Sequence, residues 1–170
     1  MLGAAALTAC LVAAAAAPFA ALTVTPHGSQ VFDIMTGITT LPEGGSIVDQ
    51  DTGVELHASR IEYREQEYVT AWGVQVAGSF GDVTAEELKL DLLAGTLSAK
   101  GALQLVRDAL VVSAGTLSFD ANAQVAVFAG GVEASAPHFT ADRAFLDVTN
   151  GDVLLDGEYL FEGGFLTMQS

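Results

Sequence analysis

Ala114-Gly115-Thr116-Leu117-Ser118-Phe119-Asp120 carries the reading that decides the fold, because its pattern returns three more times. The other copies are Ala58-Ser59-Arg60-Ile61-Glu62-Tyr63, Ala85-Glu86-Glu87-Leu88-Lys89-Leu90-Asp91 and Ala141-Asp142-Arg143-Ala144-Phe145-Leu146-Asp147. Each places a small residue first, an apolar residue three positions on and a second one two positions later, and most end on an acid. Their starts, at Ala58, Ala85, Ala114 and Ala141, are almost evenly spaced. A second marker keeps step with the first, a glycine inside an apolar run at Gly73, Gly101, Gly130 and Gly157. Two markers in phase define one unit of about 28 residues repeated four times.

Within the unit the apolar period is two, the pattern of a strand with one face buried. Ile61/Tyr63, Leu88/Leu90, Leu117/Phe119 and Ala144/Leu146 share a face, with Glu62, Lys89, Ser118 and Phe145 opposite. A partner strand follows in each copy: Val69/Ala71, Leu97/Ala99, Ala126/Phe128 and Val153/Leu155, each leading into the repeat glycine. Short polar or small stretches separate the two strands. Asn150-Gly151 is the clearest of them, since both residues tolerate the positive φ of a tight hairpin. The unit is therefore expected to be an antiparallel hairpin, with a bulge at the internal glycine, because apolar residues resume beyond it in Val74/Val76, Leu103/Leu105 and Val132/Ala134. The copy at Gly73 differs, its apolar residues falling at odd offsets from the glycine.

Outside the repeat, Val31-Phe32-Asp33-Ile34 and Ser46-Ile47-Val48 read as short strands separated by a turn at Leu41-Pro42-Glu43-Gly44-Gly45. Phe161 to Ser170, with Gly163-Gly164, reads as a terminal strand opening a fifth repeat. Residues 1–21 are uncharged and Ala-rich, a signal peptide or a weak N-terminal anchor, leaving 22–170 as a single domain. The only cysteine, Cys10, lies in that segment. Its Leu7-Thr8-Ala9-Cys10 setting has too few residues before the Cys, and too apolar a sequel, for a lipoprotein signal. Without residue 10 the chain has no thiol for a disulfide or a Cys metal site.

The 170 residues carry 21 Asp plus Glu against 6 Lys plus Arg, a formal net charge of -15, with 51% hydrophobic residues. That balance supplies a core and excludes a simple nucleic-acid surface, whose affinity comes from basic residues neutralising phosphates. Chemistry-bearing constellations fail one by one. His27, His57 and His138 are not at metal-ligand spacing. Asp49-Gln50-Asp51-Thr52-Gly53 has Arg60 where a calcium loop needs a bidentate Glu, so it reads as a turn. Glu86-Glu87 and Asp142-Arg143 hold equivalent repeat positions and read as solvated spacers. Asp91, Asp120 and Asp147 would be the carboxylates of a carbohydrate-active β-helix, but they follow the strand directly and read as turn residues. No nucleophile elbow, P-loop or dinucleotide fingerprint occurs, and neither a cofactor nor an enzymatic activity is expected. Trp72, beside a repeat glycine, is assigned to neither face.

A hairpin repeat in which a small-x-x-aliphatic-x-aromatic strand precedes an aliphatic-x-Ala-x-Gly strand resembles the OstA family of periplasmic lipopolysaccharide-transport proteins, which includes LptA, LptC and the periplasmic domain of LptD. His57 to Tyr63 followed by Tyr68-Val69-Thr70-Ala71-Trp72-Gly73 carries the likeness, and Ala85 to Leu105 and Ala114 to Val132 follow it more loosely. The resemblance covers about Val54 to Leu160. It implies an all-β antiparallel jelly roll, open along one side, whose apolar groove holds acyl chains. It implies export to the periplasm, with possible inner-membrane anchoring through the N-terminal segment. Its implied partners are lipid or glycolipid acyl chains and other OstA-like proteins, of LptC or LptD type or a second copy, joined by edge-strand pairing. The groove candidates are Ile61, Tyr63, Val69, Leu88, Leu90, Leu97, Leu117, Phe119, Phe128, Leu146, Val153 and Leu155. A structural β-solenoid without ligand is the alternative architecture, since a repeat of this length also suits the coil of a parallel β-helix. The acidity departs from expectation for a phosphate-rich headgroup, and points to a less anionic lipid or to a headgroup left in solvent and bridged by divalent cations.

Overall fold

The computed structural model describes Phe19 and residues 21–162, so the reading of residues 1–21 falls almost wholly outside the described residues, as does that of the terminal strand beyond Glu162. Twelve antiparallel strands form one sheet. Eight of them are the four predicted hairpins: β5 (Glu55–Arg64) with β6 (Tyr68–Gly78), β7 (Gly81–Asp91) with β8 (Thr96–Arg107), β9 (Leu110–Asp120) with β10 (Val125–Ser135), and β11 (His138–Asp147) with β12 (Val153–Glu162). Each pairs with the next in chain order, which removes the β-solenoid alternative, whose coils would stack in parallel. Ahead of β5 lie β1 (Leu22–Pro26), β2 (Val31–Asp33), β3 (Ile38–Leu41) and β4 (Gly45–Asp49). Here β3 and β4 divide one neighbour: Ile38 to Leu41 pairs with Ile61 to Arg64, and Gly45 to Val48 pairs with Glu55 to Ala58. The Leu41 to Gly45 turn carries the chain from one to the other.

The small-x-x-aliphatic motif is where a strand changes face. In β5 the inward residues are Leu56 and Ala58, then Ile61 and Tyr63, so the parity switches across Ser59-Arg60. Ala85 and Leu88, Ala114 and Leu117, and Ala141 and Ala144 make the same switch in β7, β9 and β11. In β8, β10 and β12 the crossing takes one residue more. Gly101-Ala102, Gly130-Gly131 and Gly157-Glu158 stand opposite the single residues Glu86, Gly115 and Asp142, and the register shifts by one at each. These are β-bulges, whose extra residue bends the strand and raises its twist. At Gly157 the backbone is left-handed (φ +86°) and an added Cβ would collide with the Asp142 side chain, so only glycine fits. Asp142 then accepts a hydrogen bond from the Glu158 amide at 2.9 Å and fastens the bulge.

Gly73 is the exception. The β5–β6 and β6–β7 registers run through without a shift, because only Trp72 and Gly73 separate inward Ala71 from inward Val74. The expected bulge is absent there for want of an extra residue, which is the physical content of that copy's odd offset. Lined up across neighbouring strands, the crossings form a crease that divides the sheet into two halves. Inward side chains on both sides of it are buried, from Ile61 at 0% and Leu88 at 1% on one half to Leu103 at 1% and Val132 at 2% on the other, in a single cluster. One layer of sheet cannot dry its own face to that extent. The halves cover each other, and the architecture is the all-β jelly roll.

Hairpin turns at one end repeat an Asp-x-x-x-Gly plan. In Asp91 to Gly95 the Asp91 carboxylate accepts from the Leu93 and Ala94 amides at 3.0 and 2.8 Å, and Gly95 N–H donates to Asp91 O at 2.9 Å. Asp147 heads a similar turn at this end and Asp49 one at the opposite end, each with its Oδ1 bonded to the amide two residues on. Adjacent turns are joined by hydrogen bonds, Leu92 N–H to Glu67 O, and Ala121 N–H to Gly95 O beside Asn122 Nδ2 to Ala94 O. Asp91→Ala is expected to cost about 1 kcal/mol, the loss of an Asx-type turn bond, seen as a lower denaturation midpoint with an unchanged slope in urea.

Candidate functional site

The inner face is the only large apolar feature among the described residues, and it is built from the alternate residues of every strand. Of the twelve positions assigned to a groove, Ile61, Val69, Leu88, Leu90, Leu117 and Phe128 are buried. Tyr63, Leu97, Phe119 and Leu146 are half-buried, and all four sit at strand ends beside the hairpin turns, where they form a rim. Leu155 is half-buried and Val153 is 51% exposed, both on the last strand. The structure therefore places all twelve on one face of one half of the sheet, in a gradient from dry centre to open edge.

The second half of the lining, past the crease, was not among those twelve. It comprises Leu56, Val74, Val83, Leu103, Leu105, Val112, Val132 and Phe139, each buried. Its signal stood in the sequence as the apolar alternation resuming after each glycine; what concealed it is the parity switch, which makes a run counted straight through the crease change face.

At the N-terminal side the trough is closed by Leu41 and Ile47, at 0% and 4% exposure. At the C-terminal side it is open. Among the described residues, strand β12 pairs with β11 only, leaving its other edge free. Phe161 pairs with buried Phe139, and Tyr159 with buried Ala141, so both point inward, yet they are 37% and 63% exposed. A depression of about 490 Å³ lies near Tyr159 at the crease, bordered by Glu133, Thr140, Asp142 and Glu158 as well as Val132, Ala141 and Leu160.

Most polar groups are kept outside, the buried Thr39 and Asp49 being inward exceptions beside Tyr63 and on the face of Ile47. Among the described residues Asp49 is the one buried acid, and its carboxylate is held by the Asp51 amide and the Thr52 hydroxyl. Along the outer side of the crease runs a row of cross-strand neighbours, Arg60, Trp72, Glu87 and Lys100. The Arg60 guanidinium lies 5.0 Å from the Trp72 ring centroid, which settles Trp72 as outward-facing, and Lys100 Nζ is 3.1 Å from Glu87. Also on this face, Tyr68 reaches Glu62 at 3.4 Å, and desolvation, followed by the Glu62 charge, raises its phenol above the usual value of 10.0. His57 and His138 lie at or near the starts of β5 and β11, facing Glu55 and Glu162 respectively. Among the described residues, no group of three His, Cys, Asp or Glu side chains converges as metal ligands, and no helix is long and apolar enough to cross a membrane. Asp91, Asp120 and Asp147 bond their own turn amides. What this arrangement offers is apolar containment with a neutral wall.

No family model matches the chain, and no curated protein matches it in sequence. Among solved structures it is similar to LptH, the LptA-homologous periplasmic component of the lipopolysaccharide transport device of Pseudomonas aeruginosa, with a TM-score of 0.50. The match covers 58% of this chain and 75% of that one, at 9% identity. At that identity the likeness is one of fold, and it agrees with the jelly roll built up from the strand registers.

Proposed function

We propose that this chain is an exported, non-enzymatic OstA-like protein that carries lipid acyl chains in its folded sheet and bridges to further modules of the same kind. The observation that carries the reading is the one-sided apolar interior, dry at its centre and, among the described residues, bared along the free edge of β12. A continuous trough results when another OstA-like sheet, of LptC or LptD type or a second copy, adds its strand to that edge, since main-chain pairing aligns the two apolar faces. The LptA-like fold of the solved neighbour supports the same reading. In it, Ile61, Tyr63, Val69, Leu88, Leu90, Leu97, Leu117, Phe119, Phe128, Leu146, Val153 and Leu155 line the acyl path, joined by the second half beyond the crease. The site of action is the periplasm. Residues 1–21 either are removed on export or hold the domain at the inner membrane; N-terminal sequencing of the fractionated protein distinguishes a start near Ala17 to Leu22 from an intact Met1.

The cargo is a lipopolysaccharide or related envelope glycolipid whose headgroup stays in solvent. With the acids on the outer face and in the turns, a phosphate-rich headgroup is repelled unless divalent cations bridge it. Protein purified from the periplasm without detergent, then extracted with organic solvent for mass spectrometry, is expected to release acyl lipid in near-stoichiometric amount. Recovery of phosphate-rich glycolipid from cation-free buffer removes the headgroup rule, and extracts without acyl lipid remove the carrier function.

A further inference from the structure

Among the described residues Thr39, Asp49 and Thr70 are the buried polar side chains, and Thr70, at 8% exposure, is the one on the outer face. Val69 and Ala71 on either side of it point inward, so its own side chain points out. It stands between Glu62 of β5 and Lys89 of β7, and Ser98 of β8 follows in the same cross-strand row. A depression of about 550 Å³ lies over the short side chains of Thr70 and Ser98, walled by Glu62, Tyr68, Lys89 and Thr96. That volume is within the range of about 300 to 1,000 Å³ of small-ligand sites. Further along the row come Ser118, Val127, Phe145 and Leu154, so its polar character ends where β10 begins.

The lining selects a class of ligand. An apolar molecule gains little, because Val69 and Leu90, which also border the depression, turn their side chains to the core. An anion finds the neighbouring cations engaged: Lys89 and Lys100 lie 3.6 and 3.1 Å from Glu87, and Arg64 lies 3.1 Å from Glu67. A metal ion finds no third ligand to join Glu62 and Asp91, and Asp91 already accepts from its own turn amides. What remains is a polyhydroxy compound. The hydroxyls of Tyr68, Thr70, Thr96 and Ser98 each donate and accept, the Glu62 carboxylate accepts and the Lys89 ammonium donates. Sugar hydroxyls do both as well. Charge agrees with a neutral ligand, since Arg60, Arg64, Lys89 and Lys100, four of the six Lys and Arg residues, lie among Glu62, Glu67, Glu87 and Asp91. This region is near balance in a chain of net charge -15.

We propose that the outer face over Thr70 is a binding site for a neutral saccharide. Thr70 and Ser98 form its floor, Glu62 and Lys89 flank Thr70, and the Tyr68 ring offers an aromatic wall to a sugar ring. The sheet separates this site from the inner face, so the sugar of a glycolipid held inside by its acyl chains does not reach it. The ligand is a separate glycan, and the site stands whether or not the interior carries lipid.

The test is titration of the isotope-labelled full chain with cellotriose, maltotriose or chitotriose, followed by NMR. At least one is expected to shift the amides of Thr70, Lys89 and Ser98 saturably and to leave those of Phe145 and Leu154 in place. Thr70→Val removes the floor hydroxyl at nearly constant shape and is expected to weaken binding about tenfold. Ser98→Gln, at an exposed position, fills the depression with the same effect and serves if Thr70→Val folds poorly. Absence of saturable shifts at those amides with every probe, or unchanged affinity in either folded variant, overturns the proposal.

Discussion

Leu88→Asp is expected to abolish the cooperative unfolding transition, while Lys89→Asp, at the next position of the same strand, leaves stability within about 1 kcal/mol. Leu88 is 1% exposed, paired with Ala71 on one side and Ala99 on the other. Removing its side chain forfeits roughly 2 kcal/mol of burial, and an unpaired carboxylate in the same place adds several more. The sum approaches the whole of a typical stability of about 5 to 15 kcal/mol. Lys89 points the other way, with its side chain 62% exposed and Nζ 3.6 Å from Glu87, and such surface pairs are worth about 0 to 1 kcal/mol. Glu87 also keeps Lys100 at 3.1 Å. Urea unfolding followed by circular dichroism and tryptophan fluorescence reads both variants, and equal losses would mean that the sheet has no dry face.

Deletion of Ala102 is expected to be tolerated within about 2 kcal/mol, whereas deletion of Gly73 is expected to unfold the protein. Ala102 is the extra residue of its bulge, exposed and held at φ +42°, a conformation that costs a residue with a Cβ about 1 to 2 kcal/mol. Without it, β8 reads Ala99-Lys100-Gly101-Leu103, the spacing that β6 uses in Ala71-Trp72-Gly73-Val74, and its register against β7 and β9 becomes uniform as that of β6 already is. Strand β6 has no residue to spare. Removing Gly73 cancels its change of face, so either Val69 and Ala71 or Val74 and Val76 must turn to solvent. Two exposed valines lose roughly 3 to 6 kcal/mol before any polar residue is driven inward. Melting temperatures of the two deletions decide the matter, and similar losses in both would contradict the crease.

These two experiments touch what was and was not legible in the sequence. The hairpins, their order of apolar faces and the turn aspartates could be read because each depends on neighbours within a single repeat unit, where period and turn chemistry act directly. Asp91 and Asp147 are turn residues as read, and Val31 to Asp33 and Gly45 to Asp49 are strands close to where the apolar runs placed them. Strands β1 and β3 escaped notice, since Leu22-Thr23-Val24-Thr25 and Ile38-Thr39-Thr40-Leu41 are short and Thr-rich, and their strand character comes from partners at a distance, Ile47 for Val24 and Ile61 for Leu41. Thr39 is buried although polar, which no alternation rule anticipates. The inner face was read on one side of the crease alone, because a parity switch becomes visible only once neighbouring strands are aligned and Ser59, Gly73 and Glu86 are seen to stand in one line.

The central claim, that the folded sheet houses acyl chains on its inner face, is tested most directly by photo-crosslinking at two adjacent residues of the last strand. A benzophenone amino acid replaces either Leu155, whose partner Ala144 is buried, or Leu154, which faces outward beside Phe145 and is 65% exposed. Irradiation in intact cells, followed by mass spectrometry of the purified protein, is predicted to give a lipid adduct at position 155 and none at 154. Absence of adduct at 155, or equal yield at both positions, would contradict the account.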